Sequence, residues 1–293
     1  MKHKGISNTA AYIAIKFYGL NLDPRIRPLF SEDLVHYYEN LVQYLPSSLS
    51  WYHKTLVKPF WRKLFISTEE LLLPGDLMHI ICRKYYLQKA TENALAEGVK
   101  QVVILGSGFD HTGALFSKNG VRTFEIDTPV MIQEKKAFLT QNNLMSQDLH
   151  LCPLDVNKNT LSETLTEIRE FDPNKKTLVL AEGFFDYIPL KSARNILKEL
   201  NSLLPDMTLS STFFSLNELN FFYRTSFTWG VAMVGEAIKL PLSLNGFLDL
   251  LSDTGYRTDA VQSYHDMQED LIKSAGLELP VLKGFYILRA VNL

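Results

Sequence analysis

Cysteine is nearly absent: Cys82 and Cys152 are the two in 293 residues, too few for a disulfide scaffold or a cysteine-rich zinc module. Net charge is small as well. Thirty Lys and Arg against 32 Asp and Glu leave −2, so there is no global attraction to nucleic acid. No run of 18 apolar residues lacks a charge, which excludes a membrane-spanning helix. The seven histidines are scattered, with neither HExxH nor HxH, so no metal site is expected. Internal repeats, low-complexity tracts, a GxxxxGK[ST] phosphate loop and a GxSxG elbow are all missing. What remains is an ordinary globular composition, 46% hydrophobic and 21% charged, which can repay the entropy of folding. At ~150 residues per domain the length fits one large domain or two small ones. The low cysteine content suits a reducing, cytoplasmic location.

The grammar of the chain changes near residue 100. The first hundred residues carry 13 basic and 9 acidic side chains and read as helices broken by Pro24, Pro28, Pro46, Pro59 and Pro74. The stretch from Thr9 to Leu20 resembles a signal peptide, but Lys16 interrupts it and no small-residue cleavage site follows. Ala10, Ile13, Ala14 and Phe17 instead predict an amphipathic helix capped by Asn8 or Thr9. From Lys100 onward, short apolar runs (QVVILG, RTFEID, DLHLCPLD, KTLVLAEG, MTLSSTFF) alternate with helical stretches at 129–142, 159–170 and 190–204. This alternation predicts βαβ units and a Rossmann-like, mostly parallel α/β sheet flanked by helices. GFYILRAV (284–291) reads as the last strand, after a mostly helical insertion at about 217–276. The expected organisation is a helical N-terminal extension or lid over 1–90 and an α/β domain over 91–293.

Ligands of open α/β sheets bind at the carboxyl ends of the strands. There the first strand turns through Gly106, Ser107 and Gly108, where absent side chains let a ligand approach the backbone. The second strand ends in Glu125 and Asp127, about twenty residues on, the spacing at which an acid accepts hydrogen bonds from ribose. The third position of a dinucleotide GxGxxG is His111, and Asp110 would repel a pyrophosphate. A phosphate-free adenosine cofactor, S-adenosyl-L-methionine, fits this turn better. Asp155 closes the third strand and is placed to accept from an adenine amino group. Glu182 closes the fourth, with Tyr187 five residues beyond. Singly, each of these acids equally suits a helix cap or a solvated turn.

These motifs resemble those of the leucine carboxyl methyltransferase family. QVVILGSGFD is similar to the family's QVV-x-LGAG-x-D, FEID to its E-V-D, and VLAEGFFDYI to its aEGvlmYl stretch, over roughly residues 75–205. The resemblance implies a class I methyltransferase fold that uses S-adenosyl-L-methionine and leaves S-adenosyl-L-homocysteine. It implies that Arg83, 18 residues before Gln101, pairs with the cofactor carboxylate. It places Gly106 and Gly108 against the methionine part and Asp127 or Glu125 at the ribose. Asp155 and Val156 would flank the adenine, and Glu182 would face the amino group. The sequence departs from the family in two places. Its D-T-R is here Asp110-His111-Thr112, and an Asp usual after the arginine position is Gln88.

A carboxylate acceptor of a methyl group needs no base, whereas a hydroxyl needs one, for which His111 and Tyr187 are the candidates. His111 equally suits a solvated helix N-terminus, and Tyr187 a packed aromatic. Residues 51–65 interleave Lys54, Lys58, Arg62 and Lys63 with Trp51, Tyr52, Phe60 and Trp61. That pattern fits a nucleic-acid or anionic-membrane surface, or a lid helix with aromatics inward and lysines in water. With so little net charge the lid is the expectation, with neither a nucleic-acid nor a membrane partner. The aromatic run at 213–229 would form the opposite wall of the cleft. The sequence thus suggests an O-methyltransferase acting on a small, hydrophobic acceptor. A protein C-terminal leucine as acceptor and a non-catalytic cofactor-binding protein of the same fold are the alternatives.

Overall fold

β-branched and apolar residues form five short parallel strands, β1 (Gln101–Leu105), β2 (Arg122–Asp127), β3 (Leu149–Pro153), β4 (Thr177–Ala181) and β5 (Met207–Phe214), buried on both faces except at the half-buried edge strand β3. A computed structural model describes residues 8–46, 54–155, 159–233, 235 and 237–293. Two further strands, β6 (Tyr256–Ser263) and β7 (Phe285–Asn292), complete a seven-stranded sheet ordered β3-β2-β1-β4-β5-β7-β6. β7 runs antiparallel to both of its neighbours. The stretch 217–276, expected to be mostly helical, therefore also contains β6. YRTDAVQS has no apolar run, because it is a half-exposed edge strand with a bulge between Thr258 and Ala260.

Alternate residues of each interior strand feed two cores. Val102, Ile104, Leu178 and Leu180 face one layer, and Val103, Leu105, Val179 and Ala181 the other. The first layer holds α1 (Asn8–Leu20), α2 (Glu32–Tyr44), α4 (Asp76–Ala96) and α6 (Pro129–Gln141), with α3 (Pro59–Leu72) packed on its rim through Phe65 and Ile66. Between β1 and β2 lies the short α5 (Thr112–Phe116). The second layer holds α7 (Leu161–Thr166), α8 (Leu190–Leu203) and α10 (Leu244–Asp253). After β5 comes α9 (Phe221–Met233). Helices on both faces place a topological switch between β1 and β4, where open α/β sheets bind ligands.

The N-terminal helices belong to the sheet's own core, since Ala11, Phe17, Tyr38 and Leu41 share one cluster with Val102 and Ile287. Lys16 of α1 ion-pairs with Glu69 of α3 at 2.7 Å and Asp76 of α4 at 2.6 Å, tying three helices together. This holds α1 above the strand ends, where a Cβ on Gly108 would lie 3.5 Å from that of Ala10.

Candidate functional site

The turn after β1 depends on glycine. Gly106 has φ +60°, a left-handed conformation, and a Cβ there would lie 2.7 Å from Cδ2 of Phe184. Gly108 is also left-handed, and its N–H donates to Oδ2 of Asp127 at 2.8 Å. The other oxygen of Asp127 accepts from the Thr128 N–H at 2.7 Å. The acid ending β2 thus closes the glycine turn, and burial pushes its pKa up despite these bonds. Ser107 is buried and its Oγ has no hydrogen-bond partner among the described residues.

Glu125, the other acid offered for the ribose, does not reach this surface. It is wholly buried, packs against Gly113 of α5 and ion-pairs with Lys135 of α6. Two residues back from the end of β2, its side chain lies under α5 instead of at the strand end. Burial pushes its pKa up to about 7 against the pull of Lys135.

Across the switch point, α4 brings two cations to the end of β4. Nε of Arg83 donates to Oε1 of Glu182 at 2.7 Å, and Nζ of Lys84 lies 2.8 Å from the same oxygen. Lys84 also donates to Oδ2 of Asp110 at 3.2 Å and lies 5.5 Å from the centre of the Tyr38 ring. Gly183 has φ +59°, and a Cβ there would stand 2.7 Å from Nη2 of Arg83. Its bare backbone lets the guanidinium lie against the turn. Burial would lower the pKa of Lys84, but Glu182, Tyr38 and Asp110 outweigh it and raise it. Asp110 is the converse case: burial opposes its charge, and Lys84, His111 and Lys135 hold it well below the usual range.

His111 does not sit in solvent. It is buried, with Nδ1 3.4 Å from the Tyr38 hydroxyl and 3.5 Å from Oδ2 of Asp110. Burial, only partly offset by Asp110, pushes its pKa down to about 4, so the ring is neutral at pH 7. The Asp110 carbonyl accepts from Lys135 at 2.8 Å and the Tyr37 hydroxyl at 3.1 Å. The motif is therefore locked under α2. Tyr187 is half-buried in a 3-10 turn after β4 (Phe185–Tyr187), and Asp155 is half-buried two residues past β3. Val156 lies outside the described residues. Arg83, Gly106, Ser107, Gly108, Asp127, Asp155, Glu182 and Tyr187 thus converge on the carboxyl ends of β1 to β4.

The leucine carboxyl methyltransferase family pattern matches residues 36–201, which run from within α2 through most of α8 and hold every one of these side chains. The chain belongs to that family. A Frankia alni protein assigned as an S-adenosyl-L-methionine-dependent methyltransferase is 27% identical over 128 residues, 43% of this chain and 44% of that protein. The chain thus matches under half the length of that relative. A protein of Mycolicibacterium smegmatis, similarly assigned, is 28% identical over 233 residues, 74% of this chain and 72% of its own length. Among solved structures, one from Thermobifida fusca assigned as a methyltransferase superposes with a TM-score of 0.56. It covers 79% of this chain and 88% of its own, and at 13% identity it shows a shared fold.

The sequence reading missed Lys84 and Lys135, the two buried ammonium groups of the site. It also expected Phe60 and Trp61 to point inward, whereas both are exposed on α3. Trp51 and Tyr52 lie outside the described residues. The run at 213–229 divides: Phe213 stacks on Phe247 at 4.4 Å in the core, and Phe214 packs on Phe227 at 4.6 Å. Phe221, Phe222 and Trp229 face solvent.

Proposed function

We propose that the protein is an S-adenosyl-L-methionine-dependent O-methyltransferase that methylates a carboxylate or hydroxyl of a small, hydrophobic acceptor. The observation that carries this reading is the Arg83–Glu182–Lys84 cluster facing the Gly106–Gly108 turn across the β1/β4 switch point. Cation and carboxylate side by side suit the two ends of an amino acid, and the orphaned Ser107 hydroxyl adds a buried polar atom at the same turn. Arg83 would hold the cofactor carboxylate, Glu182 its amino group, Asp127 the ribose and Asp155 the adenine. When bound, that cofactor supplies a methyl group on a good leaving group. The protein's part is to align the acceptor and exclude water, which contributes several kcal/mol through orientation. The acceptor class follows from what is available as a base. His111, enclosed and held near 4, is a weak proton acceptor for a hydroxyl. This favours a carboxylate, already an anion, with Tyr187 beside it to orient.

The family's name favours a second reading, in which the carboxylate is the C-terminal leucine of a protein. Isothermal titration with S-adenosyl-L-methionine and S-adenosyl-L-homocysteine tests the cofactor assignment. Binding is expected, weakened at least tenfold in Asp127→Ala through loss of hydrogen bonds to a charged group. An absence of binding to the wild type sinks both enzyme readings, and unchanged binding in Asp127→Ala sinks the site assignment. A methyl-transfer screen over carboxylic acids, phenols and a leucine-ending peptide separates the two acceptors.

A further inference from the structure

The helix α3 leaves most of its apolar residues outside the protein. Its polar residues face the protein: Arg62 donates to the Leu56 carbonyl at 3.1 Å, Glu69 pairs with Lys16, and Glu70 accepts from the Gly75 N–H at 3.0 Å. Phe65 and Ile66 pack on the core beside them, but the other five apolar residues face out. Phe60 is 72% exposed, Leu64 47% and Leu71 76%, spaced four and seven apart on one stripe, with Trp61 (49%) and Leu72 (54%) beside it. A surface helix of a globular protein ordinarily turns such an apolar stripe towards the core. Both acids of α3 are engaged on the inner side, whereas Lys54, Lys58 and Lys63 are exposed around its first turns. Among the described residues of this segment, the outer face is therefore apolar, aromatic and fringed with lysines.

From this we infer that α3 docks on the surface of an anionic phospholipid bilayer, with Phe60, Trp61 and Leu64 in the interface and the three lysines against headgroup phosphates. Apolar burial and electrostatic attraction together determine how strongly such a helix binds. The charge selects an anionic lipid over an apolar partner, because lysine ammonium groups at the rim attract headgroup phosphates and gain nothing from an uncharged surface. The inference is independent of the proposed chemistry.

Vesicle co-sedimentation of the full chain tests it. Phosphatidylcholine vesicles with a third of their lipid replaced by phosphatidylglycerol should capture the protein, and phosphatidylcholine alone should not. Salt at ~0.5 M should release it, since screening there acts over a few Å. Neutralising Lys54, Lys58 and Lys63 to Gln should weaken capture about fivefold per lysine, the ratio equivalent to ~1 kcal/mol each. Lys198→Gln on α8 removes the same charge elsewhere and should leave capture unchanged. Phe60→Ser with Trp61→Ser should weaken it at least tenfold, with helix content unaltered by circular dichroism, because both side chains are exposed. Three results overturn the proposal: no capture by anionic vesicles, capture indifferent to these substitutions, or capture equal on both lipids. Failure to bind vesicles together with a dimer dissociated by Phe60→Ser overturns it in favour of a self-interface.

Discussion

Lys84 is where the electrostatics of the site converge. Its ammonium is the shared counter-ion of Glu182 and Asp110, and all three groups are largely out of water. Removing one member of such a cluster leaves charges that nothing compensates. Lys84→Met should therefore destabilise the protein by about 3–5 kcal/mol, a typical cost of breaking a buried pair. Urea unfolding with and without S-adenosyl-L-methionine would measure it, and a loss under ~1 kcal/mol would show that the cluster rearranges freely. Lys84 was nonetheless readable in the sequence. It falls on the apolar stripe Leu77, Ile80, Ile81, Leu87 and Thr91 of α4, and Lys135 falls between Ile132 and Phe138 on α6. A lysine on the buried stripe of a helix must meet a carboxylate inside. Both do: Lys84 meets Glu182 and Asp110, and Lys135 meets Glu125. Glu125 misled because strand-end position says nothing about which oxygen reaches solvent once α5 lies across it.

Among the elements, α1 is seated by a buried apolar face, Ala11, Ile15 and Phe17, and fastened at its partly buried edge by one ammonium group. Lys16 holds it to α3 and α4, and through Ala10 it covers the glycine turn. Without that ammonium, Glu69 and Asp76 lose their shared partner. In Lys16→Met, hydrogen exchange over residues 8–20 should accelerate at least tenfold while β1 to β5 keep their protection, as local opening free energies are separable from the global one. Uniform acceleration would mean that α1 and the sheet open as one unit. The strands β1 to β5 and β7, and the helices after β2 and β4, were legible because strands in the interior of a sheet covered on both faces carry apolar runs. The eight residues of β6 were not, since an edge strand needs only its pairing with β7. For α3 the sequence showed amphipathicity but not its sense. Whether Phe60 or Arg62 faces inward is decided by Lys16 and Gly75 on other elements.

Across the whole molecule, buried titratable groups of both kinds oppose each other in setting the pH response. His79 and His111 are each held near 4 by burial, below the 6.5 of an unfolded histidine. The unfolded chain therefore binds protons first, and stability is lost as pH falls from about 6.5 towards 4, by up to ~3 kcal/mol per histidine. Glu125 and Asp186 are pushed up to about 7 by burial, so their contribution runs the other way and is lost as pH rises through 7. His111→Gln isolates one term: between pH 7 and pH 5 the urea midpoint should fall less, or rise more, in the variant than in the wild type. Equal changes would show that His111 titrates normally.

The strand order carries a consequence for how the chain is made. β7 is threaded between β5 and β6, although it follows both in sequence. During vectorial synthesis β1 to β5 can assemble as soon as they emerge, but β6 then has no neighbour, and β5 presents an open row of unpaired amides and carbonyls. Until residues 285–292 leave the ribosome, the nascent chain displays a sticky apolar border, the form in which large α/β proteins are most prone to aggregate or to need a chaperone.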